Sequence, residues 1–283
     1  MRKTYEVSRG FSAKVLNFLL CIILGKQKMA TDDHSYIEMF SSYRSHSNLD
    51  EVISATINKL SSELNFDSVK SCLTVGPFDG QHEVYFIKQC VPNISKLIGV
   101  EPNHESAERL RARLEKSLPG VDSQVIETTI QSWKGLDDPV DLVLMIHVLY
   151  YLNQSERKEL YKKLREQWLS TGGRVVVLSV SSGHSPASYH EASSRLGTSM
   201  LSWKELEPDI LEAGFVKQHA QEMQHMRDFS NLDEPYLRFL QHIVNGPLGQ
   251  PATLDDVRKT LKAVFPEAKL YPMFEMFVIL QKA

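Results

Sequence analysis

Leu73-Thr74-Val75-Gly76-Pro77-Phe78-Asp79-Gly80-Gln81-His82-Glu83 is the stretch on which the fold turns. Cys72–Val75 is apolar enough to be buried on both faces and stops at Gly76, the pattern of a parallel strand running into a tight turn. Gly80 follows four residues later, ahead of a stretch of helical character over Glu83–Cys90. Lys96-Leu97-Ile98-Gly99-Val100-Glu101-Pro102 is a second apolar run, closed by an acid and a proline. A strand, a crossing helix and a second strand at this spacing make one βαβ unit, whose strands are parallel.

Upstream, Tyr36, Ile37, Met39, Phe40 and Tyr43 recur at helical spacing over Ser35–Tyr43, and Val52, Ile53, Ile57, Leu60 and Leu64 do so over Asp50–Leu64. Two helices therefore precede the first strand. Downstream, His104–Leu118 reads as an amphipathic helix with Asn103 as N-cap, ended by Pro119-Gly120. Ser123–Thr128, Asp141–Ile146 and Arg174–Val180 read as the third, fourth and fifth strands, with a helix over Ser155–Leu169 that lacks a capping-box acid. The last third is expected to hold a helix over Trp203–Ala213, a loop at Asn245–Ala252, a helix over Thr253–Phe265 and a final strand over Met273–Gln281. Strands alternating with helices imply an α/β fold: a doubly wound, mostly parallel, Rossmann-like sheet in one domain over 31–283. Ser181–Ser188 and Asn245–Pro251 read as its linkers.

A net charge of -3, from 32 basic and 35 acidic residues with no basic run of five, argues against nucleic acid as a partner. Cys21, Cys72 and Cys90 lack metal-ligand spacing, so no metal is expected and a reducing, cytoplasmic compartment fits. The apolar run Val15–Leu24 behind Arg2 and Lys3 has two readings: a signal-like segment, or an extension over residues 1–30 ahead of a second start at Met29. Its ten residues are too few to span a bilayer, so a membrane partner is not expected. The protein is expected to act as a monomer.

Gly76 and Gly80 allow a ligand to approach the backbone at the carboxyl end of the first strand, although a tight turn requiring positive φ explains them equally well. Glu101 closes the second strand 25 residues after Gly76, where an acid accepts both hydroxyl hydrogens of a ribose; its plainer reading is a solvated turn residue. A dinucleotide is disfavoured. Pro77 has no amide hydrogen, Phe78 occupies a glycine position and Glu83 lies near the place of the phosphates. A zwitterionic amino-acid tail tolerates such a loop.

Several segments resemble histamine N-methyltransferases, in the same order over about residues 33–283: Tyr36-Ile37-Glu38-Met39-Phe40, Ser45-His46-Ser47, Glu101-Pro102, Met145-Ile146-His147-Val148-Leu149-Tyr150-Tyr151, Val180-Ser181-Ser182-Gly183 and Phe277-Val278-Ile279-Leu280. The resemblance implies a class I methyltransferase using S-adenosyl-L-methionine. It implies cofactor contacts from Gly76 at the methionine tail, Glu101 at the ribose, Ser106 near the adenosine, Ile130 near the adenine and Ile146 at the end of the fourth strand, beside Gly80 from the loop reading. On the acceptor side it implies Leu49, His147 and Met273 where the family holds a glutamate, a glutamine and an asparagine. Leu49 cannot pair with a cation and Met273 scarcely hydrogen-bonds, so the anchors for histamine are altered, and a small amine or imidazole-type molecule is the implied substrate. Asp50 either supplies the missing carboxylate or caps its helix. Tyr36, Phe40 and Tyr151 form walls of the acceptor pocket or pack in the core, while His184 and Ser188 stand where the family has an aromatic cage. His147 orients the acceptor or takes its proton, its alternative being a satisfied surface histidine. The competing readings are a binding module that keeps the fold without activity, and a nicotinamide-dependent oxidoreductase.

Overall fold

The computed structural model describes residues 35–181, 189–196, 201–244, 252–266 and 270–282. Apart from Ser35 these belong to one compact unit, Tyr36–Ala283. The N-terminal apolar run, the Met29 start, Cys21, His184, Ser188 and the linkers Ser182–Ser188 and Asn245–Pro251 lie outside the described residues.

Helices α1 (Tyr36–Ser45) and α2 (Leu49–Glu63) come first. The βαβ unit follows as β1 (Ser71–Val75), α3 (Gln81–Cys90) and β2 (Lys96–Val100). Next are α4 (His104–Ser117), β3 (Asp122–Ile126), β4 (Val140–Ile146), α5 (Gln154–Lys163) and β5 (Leu169–Val180). The remainder is α6 (Tyr189–Arg195), α7 (Trp203–Glu212), β6 (Phe215–Asp228), α8 (Glu234–Val244), α9 (Leu254–Val264) and β7 (Leu270–Lys282).

Seven strands form one sheet in the order β3-β2-β1-β4-β5-β7-β6, parallel except for β7, which runs antiparallel to both β5 and β6. The strand order reverses between β1 and β4, and the carboxyl ends flanking that point form the crevice where open α/β sheets take ligands. The inner strands are long apolar runs because helices cover both faces. On one face Ile53, Ile57 and Leu60 of α2 and Phe86 and Ile87 of α3 pack on Cys72, Leu97, Leu144 and Phe277. On the other, Tyr161, Trp168, Trp203 and Leu206 pack on Leu73, Val143, Val175 and Val278.

The last third departs from expectation. β6, α6 and α8 were not expected, and α6 packs with α8 and α9 through Ala192. The helix expected to reach Leu169 ends at Lys163; a π-helical turn over Leu164–Trp168 then leads into β5, which starts five residues before Arg174. Its start is corrected too. Asn153 caps α5 in a full capping box: the Asn153 side chain accepts from the Glu156 amide at 3.0 Å, and Glu156 accepts from the Asn153 amide at 2.8 Å.

Candidate functional site

The carboxyl rim of the sheet is built around the turn after β1. Gly76 has φ +59°, and a Cβ there would stand 2.8 Å from a methyl of Val148. Gly80, the N-cap of α3, has φ +72°, and a Cβ there would meet Leu110 at 2.3 Å. Turn geometry and packing thus require both glycines with no ligand in play. Between them Phe78 also takes a left-handed conformation, φ +54°, uncommon for a bulky residue.

The Phe78 conformation is held from two sides. Its amide donates to Glu101 Oε2 at 2.9 Å, and its ring packs edge-on to Phe40 at 4.3 Å and Tyr36 at 5.6 Å. Glu101 is 5% exposed, which overturns the solvated-turn reading. Its other oxygen accepts from the Asn103 amide at 2.9 Å. Burial raises its pKa, against the lowering pull of those two amide hydrogen bonds. Each oxygen keeps a lone pair, so the carboxylate can still accept the two hydroxyls of a ribose.

The loop offers little to an anion. The Gly76 amide donates to Val100, the Phe78 amide to Glu101 and the Gly80 amide to Pro77, which itself has no amide hydrogen. The residues present therefore fit the sugar of a nucleoside and do not provide the open amide row that a pyrophosphate needs.

Glu83 in the first turn of α3 is 3% exposed. Burial, with the charges of Asp79 and Glu101 adding to it, pushes its carboxyl up to about 8. It is a buried neutral acid beneath the loop, seen in the sequence only as a neighbour of the supposed phosphates.

Ser106 is fully buried, and both its amide and its hydroxyl donate to the Asn103 side chain at 2.9 Å, locking the N-cap of α4. Ile130 is buried after β3 beside Ile98 and Val100, and Ile146 is buried at the end of β4. These side chains offer apolar surface only.

Across the rim, α1 and α8 bring Tyr36, Phe40, Tyr43, Phe239 and His242 into one aromatic group. Tyr151, in the 3-10 turn Leu149–Tyr151, joins it through His242 at 6.3 Å and through hydrogen bonds among the Tyr36, Tyr150 and Tyr151 hydroxyls. Burial raises the pKa of all three tyrosines.

His147 follows β4 with φ +53°, and its amide donates to Leu178 at 2.8 Å. The residue is half-buried, its Nε2 is out of contact with solvent and that atom has no hydrogen-bond partner, which overturns the surface-histidine reading. Burial lowers its pKa; Glu275 pulls the other way, while His82, His225 and Arg227 add to the lowering. The imidazole is neutral at neutral pH.

The remaining acceptor-side residues are placed otherwise than expected. Leu49 packs in the core beside Ile53. Met273 is 4% exposed among Tyr236, Phe229 and Phe265. Asp50 neither caps its helix, whose N-cap is Asn48, nor stands free. It is paired with Arg44 and, at 3.2 Å, with His82, and despite burial these hydrogen bonds hold its carboxyl at about 2.

No family model matches the chain, and no curated protein matches it in sequence. Solved structures do match in fold. A Bacillus halodurans protein provisionally assigned as a methyltransferase is 12% identical over 81% of this chain and 98% of its own, with a TM-score of 0.55. The Bacillus subtilis protein YcgJ gives 11%, 82%, 98% and 0.54. The mycolic acid cyclopropane synthase CmaA1, solved with S-adenosylhomocysteine, gives 16%, 84%, 87% and 0.52. At such identities the likeness is one of architecture: this chain shares the Rossmann-like fold of these proteins.

Proposed function

We propose that the protein is an S-adenosylmethionine-dependent methyltransferase acting on a small amine or imidazole-type molecule. The observation that carries the reading is Glu101, a buried carboxylate at the carboxyl end of β2, beside the point where strand order reverses. Gly76 and Gly80 shape the loop over the methionine tail, Glu101 takes the ribose hydroxyls, and Ile130 and Ile146 give apolar surface for the base. Ser106 acts by fixing the start of α4.

When bound, S-adenosylmethionine supplies an electrophilic methyl group. The chain's part is to hold a neutral nitrogen in line with it and to exclude water. Tyr36, Phe40 and Tyr151 wall the space on the α1 side. The acceptor nitrogen would be held with its lone pair in line with that methyl group, and the cofactor would keep the electron pair of the bond that breaks. The unpartnered His147 Nε2 orients the acceptor's N–H and takes the proton that the methylated nitrogen releases.

A second reading, a binding protein without activity, is favoured by the spent amides of the loop and by the Phe78 ring against Tyr36 and Phe40. Calorimetry with S-adenosylhomocysteine, followed by transfer of labelled methyl to a panel of small amines that includes histamine, separates the two. Binding with transfer supports the enzyme and binding without transfer supports the module. Absence of binding removes both. If His147→Ala leaves turnover unchanged, the role given to His147 falls.

A further inference from the structure

Beyond the cofactor rim, the β5–β7–β6 corner carries polar side chains that the reading above leaves unused. Because β7 is antiparallel to β5, Glu275 lies opposite Val180, the last residue of β5, and opposite Met223 on β6. His225 is two residues further along β6, opposite Met273, and so shares the face of Glu275. Glu275 is 4% exposed and His225 2%.

Ser47 Oγ accepts the Leu49 amide at 2.9 Å and is hydrogen-bonded to His225 Nδ1 at 3.0 Å. The other ring nitrogen, Nε2, faces Glu275 Oε1 at 3.6 Å. That spacing is too long for a hydrogen bond. Glu275 Oε2 and His225 Nε2 are buried without hydrogen-bond partners among the described residues. The fully buried Arg227 donates to the Tyr43 carbonyl at 2.6 Å and stacks 3.9 Å over the Tyr43 ring.

A buried carboxylate with one oxygen unmet is costly in a folded protein unless something else completes it. What completes such a carboxylate is a cation that also donates hydrogen bonds. We propose that Glu275, with His225 beside it, anchors a protonated nitrogen of the methyl acceptor. This inference rests on the methyltransferase reading and narrows its substrate class. A protonated nitrogen has no lone pair for methyl transfer, so the acceptor carries a second, neutral nitrogen that reacts. The site also explains how the chain dispenses with a carboxylate at Leu49, since the anchor comes from the opposite side, on β7.

The test is calorimetry on the full chain with S-adenosylhomocysteine present, using benzylamine and benzyl alcohol as a cationic and a neutral probe of one shape. Wild type is expected to bind benzylamine at least about tenfold more tightly, and Glu275→Gln to lose that preference while binding benzyl alcohol as before. Glu275→Met is expected to melt at or above the wild-type temperature, because it buries a thioether in place of an unmet oxygen. The anchor is overturned if wild type shows no preference, if the preference survives in Glu275→Gln, or if both variants melt more than about 5 °C lower, the mark of a structural pair with His225. A preference that depends on Glu275 without any binding of S-adenosylhomocysteine would keep the anchor and remove the methyltransferase reading.

Discussion

The main-chain amide of Phe78 donates to Glu101 Oε2 at 2.9 Å, tying the loop after β1 to the carboxylate that closes β2. One side chain thus serves the turn and the proposed ribose contact together, and any change at Glu101 also acts on the loop.

Phe78→Gly relieves the left-handed strain, about 1–2 kcal/mol, but removes two aromatic edge contacts of roughly 0.5–1.5 kcal/mol each and the area they bury. A net loss of about 1 kcal/mol is expected in chemical denaturation. Amide exchange should quicken in α1 and stay unchanged in α5; uniform quickening would show that Phe78 does not hold α1.

Glu83 gives a pH dependence of definite sign. Its folded pKa, about 8, lies above the ordinary 4.5, so the folded state holds a proton that the unfolded chain releases. The stability from this group is complete below pH 4.5 and falls as pH rises through 8, by at most roughly 5 kcal/mol. Glu83→Gln should therefore melt above wild type at pH 8, with the gap closing towards pH 5. A gap that does not vary with pH would rule out the buried neutral acid.

Gly80→Ala sets a Cβ 2.3 Å from Leu110 at a positive φ. A loss of about 2–4 kcal/mol is expected from strain and overpacking together. Leu110→Ala should recover the steric share, so the double variant is less destabilised than the sum of the singles. Strict additivity would mean that the two residues do not touch.

Arg157 Nη2 lies 2.9 Å from Asp209 Oδ2, with both side chains under a tenth exposed. Arg157→Met leaves Asp209 buried without its cation and should cost about 3–5 kcal/mol in urea unfolding. A cost below about 1 kcal/mol would place the pair with ordinary surface salt bridges.

The inner strands were legible because burial on both faces forces continuous apolar runs, as in Asp141–Ile146. β6 was not: its segment Phe215–Asp228 is mostly polar, since a sheet edge leaves Val216, Lys217 and Gln218 exposed, and a register irregularity at Lys217/His219 breaks its alternation. α8 did carry a signal that went unread. Asp233 precedes it and accepts the Tyr236 amide at 2.8 Å, and the apolar residues Tyr236, Leu237 and Leu240 follow at helical spacing. At the site, Glu101 was legible because strand ends within one βαβ unit are set by local sequence. The Glu275–His225 pair was not, because the register of β6 on β7 brings together residues fifty apart, and no spacing along the chain encodes that.

The central claim is a nucleoside site gripped by Glu101, and the most direct measurement is titration of S-adenosylhomocysteine into the purified full chain and its Glu101→Gln variant. The account predicts saturable binding to wild type and affinity weakened about 10- to 100-fold in the variant, the loss of hydrogen bonds to a charged acceptor, with the melting temperature of the variant recorded alongside. No heat of binding to wild type, or equal affinity in a folded variant, would contradict it.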